Sequence, residues 1–126
     1  MPFFIDPKDP VERVIDNITF KIRVFDGRER SRFVTHLLPL SRTWANVDDV
    51  EDAAVSMTEK DVDHMAEIVK LGVVGWSGPD APECKLSRGY LSDRSLGRIP
   101  FERWSELLTA VVEVNTVTED DEGNSQ

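Results

Sequence analysis

The sequence predicts an α+β fold that is mainly helical, with a short N-terminal β-hairpin or strand followed by about four helices. One early segment alternates strictly between apolar and polar residues, several later segments repeat apolar residues at helical spacing, and prolines and glycines separate them. The 126 residues suit one domain. We therefore expect a single globular domain over residues 1–116 and a disordered acidic tail over residues 117–126.

The alternating segment spans residues 18–24 and is typical of a half-buried strand. The β-branched stretch 11–15 can pair with it as a hairpin, because Asp16 and Asn17 suit a tight turn. Residues 1–10 contain three prolines and no alternation, which predicts an extended lead-in. The apolar face of the strand consists of Ile18, Phe20, Ile22 and Val24.

Two helices are predicted between the hairpin and residue 57. Asp26 can cap the first helix, and Pro39 is expected to end it. Asn46 can cap the second helix, which has an apolar stripe and a solvated acidic face over residues 47–57. The apolar positions of the first helix are Phe33, Val34, Leu37 and Leu38.

The third predicted helix has clear start and stop signals, because Thr58 and Asp61 form an approximate capping box and Gly72 follows the apolar stripe. Residues 73–96 contain many glycines and prolines, which predict turns rather than a long element. The last helix is expected to start near Pro100. Its apolar stripe comprises Phe101, Trp104, Leu107, Leu108, Val111 and Val112.

The charge balance excludes several classes of partner. The chain has 24 acidic and 15 basic side chains and a net charge of −9, which repels the phosphate backbone of a nucleic acid. No apolar run approaches the roughly 20 residues that span a bilayer, and the N-terminus lacks the pattern of a secretory signal. A single cysteine, Cys84, agrees with a reducing compartment. We expect a cytosolic protein that binds neither nucleic acid nor membrane.

No residue pattern predicts catalysis. His36 and His64 lie on separate predicted helices without a metal ligand at suitable spacing, which favours surface or core-edge positions. Ser77 lacks the full spacing of a nucleophile elbow, and no histidine is near Cys84 in sequence. The acids of residues 48–52 lack the glycine and alternating ligands of a calcium loop. We expect a non-enzymatic protein without catalytic, cofactor-binding or metal-binding residues.

Four aromatic residues are candidates for partner binding. Phe3 and Phe4 belong to the lead-in, from which they could dock on an apolar surface. Trp44 follows Pro39 among polar neighbours, where an exposed binding anchor and a core position are about equally supported. For Trp76, core packing is the more common role, although partner binding stays open.

The order of features resembles the tail assembly chaperones of long-tailed bacteriophages, over about residues 17–122. The resemblance is carried by the layout of a strand and charged helix, a helix with a valine–tryptophan end, and a last helix with an acidic end. It implies a mostly helical, non-catalytic protein in the host cytoplasm, without a cofactor, that keeps the tape-measure protein soluble and recruits tail-tube subunits. The three segments are ITFKIRVFDGRERSRFV, DHMAEIVKLGVVGW and IPFERWSELLTAVVEVNTVTEDD.

Two functions therefore stay open. A chaperone would offer an apolar surface to a helical client, would have a tendency to form homo-oligomers, and would be absent from finished particles. The alternative is a structural virion component, such as a head–tail connector or tail-completion protein, which would form rings and be present in particles at a fixed copy number.

Overall fold

A computed structural model describes residues 8–45 and 58–124 of the chain, with side chains over residues 8–42 and 58–116. A short 3₁₀ turn, Phe101–Arg103, precedes the last helix. In chain order, the other elements are β1 (Val11–Ile15), β2 (Ile18–Ile22), α1 (Gly27–Ala45), α2 (Glu59–Gly72), β3 (Val73–Ser77), β4 (Leu86–Ser87), β5 (Tyr90–Leu91), α3 (Asp93–Leu96) and α4 (Trp104–Asn124).

The predicted architecture, a mainly helical chain in which one hairpin is followed by about four helices, is wrong. The described residues form an α+β fold with four helices and two small antiparallel sheets, and three of the strands come after α2. Residues 73–77, which the glycines led us to expect as turns, form β3. Their valines and tryptophan favour a strand, and Gly72 and Gly78 lie at its two ends.

The first sheet has the strand order β1-β2-β3, and both pairs are antiparallel. The predicted hairpin turn is confirmed, since Asp16 and Asn17 have φ angles of 49° and 69° and connect β1 to β2 directly. Positive φ at both central residues is the property of the tight turns that match strand twist. β3 places Trp76 opposite Phe20 of β2.

The N-terminal cap of α1 is confirmed. The backbone N–H of Glu29 donates to Asp26 Oδ1 at 2.8 Å, and that of Asp26 donates to Glu29 Oε1 at 3.1 Å. The predicted end at Pro39 is wrong, because α1 continues to Ala45. Leu40 is fully buried one residue after the proline, so packing favours continuation of the helix despite the missing N–H.

The apolar stripe of α1 also differs from the predicted one. Phe33 and Leu40 face the core, whereas Val34 is 40% exposed and Leu38 is 51% exposed. Residues that are seven positions apart in a helix lie on nearly the same face, which explains why Phe33 and Leu40 both face the core. The helix predicted for residues 47–57 lies outside the described residues.

The start of α2 is confirmed as a capping box. Asp61 N–H donates to Thr58 Oγ1 at 3.2 Å, and Thr58 N–H donates to Asp61 Oδ2 at 3.0 Å. The helix ends at Gly72, as the sequence predicts. The start of the last helical segment directly after Pro100 is likewise confirmed. α4 ends at Asn124, inside the segment expected to be an acidic tail; the division into domain and tail stays a prediction.

The core lies where α2 packs between α1 and α4, with β2 and β3 along one side. Within it, the side chain of Asn115 on α4 is bonded to the backbone that follows β2: it accepts from Phe25 N–H at 2.8 Å and donates to Arg23 O at 3.0 Å. The largest fully buried side chains are Phe33, Ile22, Leu40, Ile68, Leu107, Leu108, Val69, Val73, Val111 and Val114.

Candidate binding pocket beside Trp76

A partly open pocket of about 210 Å³ lies between the β1–β2 turn, the loop of residues 79–82 and the start of α4. We call it the Trp76 pocket. Its wall is mainly apolar, with charged groups at the rim. The apolar side chains that line it include Ile15, Ile18, Phe20, Trp76, Pro82 and Ile99.

Trp76 fixes the shape of this pocket. Its indole N–H donates to the carbonyl oxygen of Pro82 at 2.6 Å, and its ring meets that of Phe20 edge to face with centroids 6.1 Å apart. The indole therefore holds the 79–82 loop against the sheet while one side remains available to the pocket. A half-buried tryptophan with a satisfied N–H provides a rigid apolar wall.

The close approach of loop and hairpin also depends on Gly78, which has a φ of 152°. A β-carbon on this residue would lie 2.7 Å from Ile18 Cδ1 and 2.9 Å from the carbonyl oxygen of Asn17. Only glycine allows the backbone to come this near. The chain can thus turn back from β3 over the end of the hairpin and form the pocket.

Charged residues surround the opening. Arg103 pairs with Asp16 of the hairpin turn and, at 3.1 Å, with Glu106 on α4, so that the hairpin is joined to the last helix. Arg98 and Asp80 line the rim as well. Arg98 is exposed and forms no ion pair with any of the described side chains. The rim therefore presents a guanidinium group to solvent beside an apolar wall.

The structure describes two of the four predicted partner-binding residues, Trp76 and the backbone of Trp44. Trp76 lines the pocket. Trp44 belongs to the last turn of α1 instead of a linker, and its side chain lies outside the described set. Phe3 and Phe4 lie outside the described residues. The sequence analysis did not predict that Phe20 lines a binding pocket. Its position on the apolar face of the alternating strand was the feature that could have indicated this role.

His36 and His64 are in direct contact, which the sequence did not reveal. Their Nδ1 atoms are 2.9 Å apart, and their ring centroids are separated by 5.2 Å. Burial is the main cause that lowers the pKa of His36, with a further contribution from His64. The described residues contain no group of three or more histidine, cysteine, aspartate or glutamate side chains that could hold a metal ion.

A polar network joins the second sheet, in which β4 pairs with β5, to α1. Glu29 Oε2 accepts from Arg23 Nη1 and from the Tyr90 hydroxyl, both at 3.1 Å. The guanidinium carbons of Arg23 and Arg32 lie 4.7 and 5.3 Å from the centre of the Tyr90 ring. Beside the network, the hydrogen bond from Lys70 to Asp93 raises the pKa of the lysine. These contacts hold β5 and α3 against the helices.

Comparison of the chain with protein-family models, with curated proteins and with solved structures finds no match. Within the described ranges, no helix has the length and apolar character needed to cross a membrane.

Proposed function

We propose that this protein is a non-catalytic tail assembly chaperone of a long-tailed bacteriophage, which binds the tape-measure protein in the host cytoplasm and helps to recruit tail-tube subunits. The observation that carries the proposal is the Trp76 pocket, an apolar recess that is open to solvent and has a charged rim. The layout of the sequence, which resembles that chaperone family, supports the choice of client.

The size of the pocket suits a protein partner. Its volume of about 210 Å³ is below the roughly 300–1,000 Å³ of typical small-molecule sites. An apolar side chain of a partner could fill it and be enclosed by Trp76, Phe20 and Ile99. A buried anchor within a ring of weaker contacts is the usual arrangement of a binding hot spot.

Charge supports the same role. The net charge of −9 keeps a complex with an apolar client soluble. Within this acidic protein, Arg98 lines the pocket without an ion pair, whereas Arg103 is paired with Asp16 and Glu106. An apolar residue of the client that is followed by an acidic one would therefore match both the wall and the rim.

Co-expression with the tape-measure protein of the same genome tests the proposal. We expect the wild-type chain to keep the client soluble and to co-purify with it. Replacing Ala81, which lines the pocket, by leucine fills the recess, and Arg98→Glu reverses the charge at its rim. Both variants should capture at least about tenfold less client, equivalent to about 1.4 kcal/mol of binding free energy.

Arg94→Glu is the matched control for the charge reversal, because Arg94 is also exposed but lies on α3 outside the pocket lining. Its capture of the client should equal that of the wild type. Equal capture by all four proteins would show that the pocket is not the binding site. Mass spectrometry of finished particles tests the function itself. Presence of this protein in particles at a fixed copy number would identify it as a structural virion component instead of a chaperone.

A further inference from the structure

His36 and His64 face each other across the contact between α1 and α2. Their Nδ1 atoms are 2.9 Å apart and their ring planes are inclined by 52°. Both side chains are half-buried. A hydrogen bond between two ring nitrogens requires that one Nδ1 carries a proton and that the other has a free lone pair.

The number of protons that this contact can hold follows from imidazole chemistry. A first added proton can bind Nε2 of the donor ring, which leaves the Nδ1–H···Nδ1 bond in place. A second proton must bind the accepting Nδ1, after which both nitrogens are donors. The hydrogen bond is then lost, and two cations lie side by side between the helices.

The charged groups around the pair do not remove this repulsion. Arg32, one turn before His36 on α1, adds positive charge and lowers the pKa of His36. Glu67 on α2 acts in the opposite direction, but its carboxylate also pairs with Lys70 at 3.1 Å. Burial and His64 are the larger causes, and both also lower the pKa of His36.

We propose that the His36–His64 contact is a proton-sensitive latch between α1 and α2, which holds with no more than one added proton and opens when both rings are charged. The opening is local because the pair lies at the edge of the helix contact, whereas Phe33, Met65 and Ile68 are buried in the core. Pro39 supplies no N–H to the helix, which weakens α1 directly after the latch. The released part is the turn of α1 around His36, residues 35–38, because fully buried Leu40 keeps the following residues of the helix in the core.

The direction of the pH dependence follows from the lowered pKa of His36. A histidine that is harder to protonate in the folded protein stabilises it above the ordinary value of about 6.5, and that stability is lost as the pH falls through the lowered pKa. The latch is therefore closed at neutral pH and opens on acidification. For each additional proton bound by the open state, its population rises up to about tenfold per pH unit.

Amide hydrogen exchange between pH 7.5 and 5, corrected for the intrinsic pH dependence, tests the latch; EDTA in the buffer excludes bound metal ions. In the wild-type chain, the opening constants of residues 35–38 should rise at least threefold more than those of α4. His36→Gln and His64→Gln each remove one titrating ring while they keep a polar side chain. In both variants, the opening constants near His36 should rise on acidification no more than those of α4.

Histidine ring NMR of the wild type gives a second readout that does not depend on how well the variants fold. At neutral pH, one ring should carry its proton on Nδ1 and the other on Nε2. An Nε2 proton on both rings at neutral pH would leave the contact without an Nδ1 donor and would overturn the proposal. Equal acid-induced opening in the wild type and the two variants would also overturn it.

Discussion

Gly72, the last residue of α2, lies directly against Val111 of α4. A β-carbon on Gly72 would be 2.4 Å from Val111 Cγ2 and 2.7 Å from Cγ1, closer than side chains approach without displacement. Both residues are buried, and Val111 is fully so. The glycine that ends α2 therefore also allows this helix to approach α4.

Gly72→Ala should destabilise the protein, because the added methyl group overpacks the contact with Val111. We expect a loss of about 1–3 kcal/mol in the free energy of unfolding, measured with urea. Val111→Ala should cost less in the Gly72→Ala background than in the wild type, since the smaller side chain relieves the clash. Gly75→Ala is the control: its β-carbon would meet Lys21 Cδ at an ordinary 3.5 Å and should not destabilise the chain.

Asn115→Leu should also destabilise the fold. The substitution leaves the N–H of Phe25 and the carbonyl of Arg23 without the amide that they contact in the core. Loss of partners for buried backbone groups should cost about 2–4 kcal/mol in total. Thr109→Ala removes an exposed side-chain hydrogen bond on the same helix and should change stability by less than about 0.5 kcal/mol. Equal effects of the two substitutions would contradict a structural role for the Asn115 amide.

Cys84 should react slowly with iodoacetamide. Burial raises the pKa of its thiol, and a backbone hydrogen bond from Trp76 opposes that shift only in part. Since the thiolate is the nucleophile, the alkylation rate at pH 8 should be lower than that of an unstructured cysteine peptide. The rate should reach the peptide value in denaturing urea. A folded protein that reacts as fast as the peptide would show that the thiol is not shielded.

Removal of residues 117–126 tests whether the acidic end contributes to the domain. Four consecutive acids, Glu119 to Glu122, lie toward the C-terminus of α4, where the helix dipole disfavours negative charge. We expect a truncated chain that ends at Thr116 to retain its free energy of unfolding within about 0.5 kcal/mol, or to gain slightly. A loss above about 2 kcal/mol would place the acidic segment within the folded domain.

Local signals predicted the elements whose structure depends on neighbouring residues. The turn at Asp16 and Asn17, the cap at Asp26 and the capping box of Thr58 with Asp61 each involve groups within three residues of one another. Their chemistry can be recognised from sequence because no distant contact is needed.

Distant contacts decided the elements that were predicted wrongly. β3 forms because Trp76 and its neighbours pair with β2, which overrides the turn tendency of the adjacent glycines. α1 passes through Pro39 because Leu40 is buried by packing against other elements. The Trp76 pocket and the histidine contact likewise combine residues from separate elements, so neither could be placed before the packing of the helices was known.

The bond between Phe25 and the Asn115 side chain joins residues 90 positions apart, which bears on the order of events during synthesis. The β1–β2 hairpin leaves the ribosome well before β3 and α4, which contact β2. An isolated two-stranded hairpin is at best marginally stable in water. We therefore expect the nascent chain to stay largely unfolded until α4 has emerged, so that the apolar residues of β2 remain accessible to the cell's folding factors during that interval.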